Sequence, residues 1–132
     1  MMTDNLNQVI DEWRNKKFVW GVSDCCQFAI ACEKSIKGKI KNQEMIESLS
    51  YSSKETATKE FNKLGYNNFL HYIDSAYKRI NKNLVKRGDY GLIRTDNNFS
   101  ITVNLGNYFA GMSEEGLVFF RNHELIRKAW AI

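Results

Sequence analysis

The spacing of apolar residues changes once along this chain, near residue 88, and that change limits what it can fold into. Before it, apolar side chains recur every three or four positions, the period of one helical face; after it they alternate every second position, as strands do. Leu6, Val9, Ile10 and Trp13 mark a first helix over residues 4–15, with Asp4 as its expected cap. Asp24, followed three residues on by Gln27, opens a second helix from Cys25 to Lys37. Its stripe is Cys25, Phe28, Ala29, Cys32 and Ile36, and Lys34, Lys37 and Gly38 close it. Met45, Ile46 and Leu49 suggest no more than a weak turn or short helix. Ser52 with Glu55 reads as a capping box for a third helix whose buried face is Ala57, Phe61 and Leu64, ending at Gly65. Phe69, Tyr72, Ile73, Ala76 and Ile80 mark one more amphipathic stretch, which leaves His71 on its solvated side.

Beyond Gly88, Tyr90-Gly91-Leu92-Ile93 is strand-like, and Ile101, Val103 and Leu105 alternate with Ser100, Thr102 and Asn104. Short runs follow at Tyr108-Phe109, Leu117 to Phe120 and Ala129 to Ile132. Asp96-Asn97-Asn98, Gly106-Asn107 and Glu114-Glu115-Gly116 supply the turns between them. Strands joined by turns this short pair antiparallel. Helices first and strands afterwards make an α+β domain, with the helices packed on one face of a C-terminal antiparallel β-sheet. At 132 residues the chain has room for a single domain over 1–132.

Charge and cysteine content narrow the chemistry. A net charge of +4, spread along the chain, permits acidic partners without naming one. No apolar run approaches the roughly 18 residues that span a bilayer, and the first residues lack the shape of a secretion signal, so no membrane span is expected. Three cysteines argue against a closed disulfide framework. Cys25 and Cys32 on one helix would stand about 10 Å apart, beyond disulfide reach. No CxxC pair is present, and the two histidines, His71 and His123, are remote in sequence, so neither a structural metal nor a cofactor is expected.

The stretch Phe18-Val19-Trp20-Gly21 followed by Asp24-Cys25-Cys26 is the chemically richest segment. A thiol in the first turn of a helix meets the positive end of the peptide dipoles and unpaired N–H groups, which favours its thiolate and suits a nucleophile. The alternative for Cys25 is a buried structural thiol, packed as a small apolar side chain beside Phe28 and Ala29. Cys26, on another face, is the candidate for the exposed sulfur.

Trp20-Gly21 and Asp24-Cys25, with a later Gly88-Asp89-Tyr90-Gly91-Leu92-Ile93 and Ser100-Ile101-Thr102-Val103-Asn104-Leu105-Gly106, resemble the NlpC-type branch of the papain-like cysteine peptidases. The likeness is nearest to a small group encoded by tailed bacteriophages and runs to the closing Ala129-Trp130. It implies a papain-like fold with Cys25 as nucleophile, Asp24 as its neighbour and Gly88-Asp89 opening the first central strand. The position matching the family's catalytic histidine is Ser100, which cannot shuttle a proton as imidazole does, a loss of typically about 100- to 10,000-fold in rate. Cys26-Gln27 also stand where the family often has Ser-Gly.

Other residues carry two readings. His123 is either a substitute base swinging toward Cys25 or a surface loop histidine, the latter favoured. Trp20 and Trp130 either line a groove or belong to the core, the core favoured. Arg87-Gly88-Asp89 is read as a turn into a strand. Lys78, Arg79, Lys82, Lys86 and Arg87 read as a solvated surface, and nucleic acid is not an expected partner.

Two function classes follow from the resemblance. One is a virion or tail-assembly protein on a catalytically degenerate scaffold, made in the host cytoplasm and located in the phage tail, with tail components as partners and a homo-oligomeric ring by association. The other is an active cysteine hydrolase cutting peptide bonds in bacterial peptidoglycan. The structural role is favoured because the proton acceptor is missing.

Overall fold

The computed structural model describes residues 5–95, 98–121 and 123–132. Five α-helices come first: α1 (Leu6–Trp13), α2 (Cys25–Lys37), α3 (Gln43–Glu47), α4 (Lys54–Lys63) and α5 (Phe69–Ala76). Six strands follow: β1 (Lys78–Ile80), β2 (Tyr90–Thr95), β3 (Asn98–Asn104), β4 (Phe109–Ser113), β5 (Gly116–Phe120) and β6 (Ile126–Ala131). They form one antiparallel sheet in the order β1-β6-β2-β3-β4-β5. The α+β organisation expected from the change of period is therefore the observed one.

Local sequence explains several helix ends. The Asp24 carboxylate accepts from the Gln27 amide at the start of α2, and Gly38, left-handed at φ 78°, closes it. For α4 the expected capping box is shifted by one residue: Ser53, not Ser52, is the cap, and it exchanges hydrogen bonds with Thr56 rather than Glu55. A threonine hydroxyl at the third helical position can return the bond as well as a carboxylate can. The helical stretch expected to continue to Ile80 stops at Ala76, and Ile80 lies instead in β1, paired with Ala129. The ladder with β6 satisfies the backbone there, and tertiary pairing overrides a local helical period. Met45 and Ile46 lie in the short α3. Asp4 and the turn residues Asp96 and Asn97 lie outside the described residues.

The two faces of the sheet differ. Tyr90 and Leu92 from β2, Ile101 and Val103 from β3, Ala110 and Met112 from β4 and Trp130 from β6 join Phe28, Ala29 and Cys32 of α2 in the main core. The opposite face carries a small cluster of Ile93, Phe109 and Ile126, with Val85 and Phe120 against it. Trp130 is fully buried, as expected, and donates from Nε1 to Asp74 at 3.0 Å. Trp20 is not in that core: it is half-buried and packs edge-on against Phe18, ring centres 5.0 Å apart.

One buried charge ties the helical layer to the sheet. Glu33 interrupts the apolar stripe of α2, and its carboxylate accepts from the hydroxyls of Tyr77 and Tyr90 (2.7 Å to the latter) and from the Lys41 amide at 2.8 Å. A buried carboxylate is tolerated when donors of this kind surround it.

Candidate functional site

The corner that holds Cys25 is built by three segments. Asp24, itself buried, accepts from Gly21 at one carboxylate oxygen and from Gln27 at the other, both at 2.8 Å, and so locks the Trp20-Gly21 turn onto the first turn of α2. Gly21 has φ +81°, and a Cβ on it would stand 2.0 Å from the Tyr51 carbonyl oxygen, so no other residue fits. Tyr51 closes the corner from the segment between α3 and α4. Its buried hydroxyl lies beside Cys26, Asp24 and Gln27, with no hydrogen bond of ordinary geometry among the described residues.

Cys26 is not the exposed member of the pair. Cys26 is buried, at 4% exposure, while Cys25 is half-buried. The reason is tertiary: Tyr51 covers the side of α2 on which Cys26 lies, so the helix start is packed over a wider arc than its apolar stripe suggests. The surroundings of the Cys25 thiol work against the expected thiolate. Burial first, and the neighbouring Asp24 carboxylate second, push the Cys25 thiol up to about 12, although the amides of Ile101, Cys26 and Cys25 itself turn toward the sulfur. The helix start does favour the anion, but desolvation and a like charge outweigh it. Burial likewise pushes Cys26 and Cys32 upward.

Ser100 follows from strand register. It pairs directly with Ile93, and directly paired residues project from one face of a sheet. Ile93 belongs to the cluster on the face away from α2, so Ser100 turns away from the thiol, and its neighbour Ile101 faces the core beneath α2. Strand β3 thus meets Cys25 with a main-chain amide. The next side chain along that face is Phe99, 55% exposed, with the Arg94 guanidinium 5.7 Å from its ring centre.

The contacts of the two histidines lie away from the thiol corner. His71 Nδ1 accepts from the Asn67 amide at 2.9 Å and its ring lies edge-on to Tyr66, so it is a half-buried part of the α5 start rather than a solvated side chain. His123 packs against Phe109, ring centres 5.2 Å apart, with the cluster on the far face of the sheet. Trp20, Asp24, Cys25 and Cys26 thus gather at one corner, while Ser100 and His123 belong to the other face.

Gly88-Asp89 is a turn into a strand, as read. Asp89 accepts from Lys86 at 2.8 Å and from Ile132 at 3.3 Å, joining the start of β2 to the chain after β6. Two clefts, of about 350 and 290 Å3, open beside Asp89 and beside Tyr108, and neither is lined by Cys25. No group of three or more potential metal-ligating side chains occurs among the described residues, and no helix among them is long and apolar enough to cross a membrane.

Sequence reasoning missed Tyr51, the Ile101 amide and Glu33. Only Glu33 left a signal, as a carboxylate in line with Cys26 and Ala29 at helical spacing.

Residues 2–132 match the family described as a domain of unknown function, DUF6950. No curated protein matches the chain.

Proposed function

The chain belongs to the DUF6950 family, and we propose that it is a structural or assembly component of a phage tail, built on an NlpC-like scaffold whose cysteine has lost its catalytic use. One arrangement supports this reading: Cys25 stands beside the Asp24 carboxylate, which with burial pushes its thiol upward, while both imidazoles of the chain are engaged elsewhere. A cysteine peptidase needs a thiolate and a base that returns the proton to the leaving amine. Here the carboxylate beside the sulfur works against the first, and Ser100 on the far face leaves the second unmet. Asp24 serves the fold as a clasp between the Trp20-Gly21 turn and α2. The tail assignment rests on the likeness of Trp20-Gly21, Asp24-Cys25 and Gly88-Asp89 to proteins of tailed phages.

The test has two arms. A thiol displaced from 9.0 to about 12 holds about a thousandth of the usual thiolate at neutral pH, so iodoacetamide should alkylate Cys25 about a thousandfold more slowly than an ordinary cysteine. Purified sacculi should release no peptides when incubated with the protein. Rapid labelling at pH 7 together with peptide release that Cys25→Ala abolishes would establish the hydrolase instead. In the second arm, mass spectrometry of purified particles and of tail intermediates should find the chain at a fixed copy number, and its absence from both would overturn the tail role.

A further inference from the structure

The two edges of the sheet are unlike. Strand β1 is only three residues long and carries Lys78 and Arg79, the charged guard residues that keep edges from pairing. At the other edge, β5 reads Gly116-Leu117-Val118-Phe119-Phe120, five half-buried residues with no lysine, proline or charge between them. Such an edge presents a row of main-chain donors and acceptors to whatever strand can pair with it.

Which main-chain groups point away from β4 follows from the hairpin. Ser113 pairs with Gly116 across the two-residue turn Glu114-Glu115, so the Gly116, Val118 and Phe120 main chains face β4. Leu117 and Phe119 turn theirs outward. We propose that this edge pairs with β5 of a second copy of the chain, antiparallel about Val118, joining two six-stranded sheets into one through a closed two-fold contact.

Charge selects both occupant and register. Centred on Val118, Leu117 and Phe119 exchange their outward hydrogen bonds with Phe119 and Leu117 of the partner copy, and Gly116 lies opposite an aromatic Phe120. Glu115, the exposed residue just before the strand, then falls opposite Arg121, the exposed residue just after it, twice by symmetry. A shift of two residues either way sets Glu115 against Phe119 or Leu117 against Arg121 and loses both ion pairs. The guarded β1 edge stops further growth, so the assembly closes at two copies.

Sedimentation equilibrium of the full chain over micromolar to millimolar concentration tests this. The wild type should reach a dimer. Arg121→Glu and Glu115→Arg each set like charges opposite one another and should weaken the dimer about tenfold, while the double exchange E115R/R121E should restore it. Both side chains are exposed, so circular dichroism should show every variant folded. A monomer throughout, open-ended association, single variants that dimerise like the wild type, or a double exchange that fails to restore pairing would each overturn the proposal.

Discussion

The Tyr51 carbonyl oxygen lies 2.0 Å from where a Cβ on Gly21 would stand, so two segments 30 positions apart in sequence meet main chain to main chain at the thiol corner. Gly21→Ala meets that oxygen and also forces a side chain into a left-handed backbone, a combined cost of about 3 kcal/mol. Gly65→Ala, at φ +94° but with open space around it, should cost only about 1 kcal/mol. Urea denaturation of both variants measures the difference, and equal losses would mean that the Tyr51 segment simply moves aside.

Cys25 should leave an alkaline signature. Its folded value is raised from 9.0 to about 12, so the folded state holds the proton that the unfolded chain has released. The resulting stability is fully present below pH 9 and is lost progressively as pH rises toward 12. Cys25→Ala should therefore decline less steeply than the wild type between pH 9 and 11 in parallel denaturant titrations. Asp24→Asn removes a nearby negative charge, so it should speed alkylation of Cys25 at a fixed pH near 8.

Glu33 should respond sharply to truncation. Glu33→Ala takes the shared acceptor from the Tyr77 hydroxyl and the Lys41 amide, while the Tyr90 hydroxyl keeps the Ala29 carbonyl, at a cost of about 3 kcal/mol. Tyr77→Phe, which removes one donor and leaves the other two in place, should cost about 1–2 kcal/mol. Thermal melts rank the pair, and equal effects would show that the carboxylate does not act as a shared hub.

Asp89→Asn replaces one of two carboxylate acceptors with an amide donor, facing either the Lys86 or the Ile132 N–H. About 2 kcal/mol should be lost. Hydrogen exchange at those two amides should quicken with it; unchanged protection would place the strand-opening bonds elsewhere.

The fold was legible where a local cause suffices. The change of period near Gly88 separates helices from strands, Asp24 and Gly38 bound α2, and Gly88-Asp89 marks a turn, because capping and turn chemistry act within a few residues. Legibility failed where a remote segment decided the outcome. Ile80 fits a helical stripe but is claimed by β6, and Trp20 sits beside core-forming residues yet remains outside the main core.

The thiol corner divides in the same way. Residue order alone put Asp24 and Cys25 at a helix start, since capping spans only three or four positions, whereas the bond from the Gly21 amide to Asp24 came only with the structure. Tertiary structure decided that Tyr51 covers Cys26, that Ile101 meets Cys25 with its main chain and that Ser100 faces away, because a strand's pairing and alternation select which of two neighbouring residues reaches a partner. The protonation of Cys25 was decided there too. Dipoles at a helix end are local, but desolvation depends on everything packed around the sulfur, and here it outweighs them.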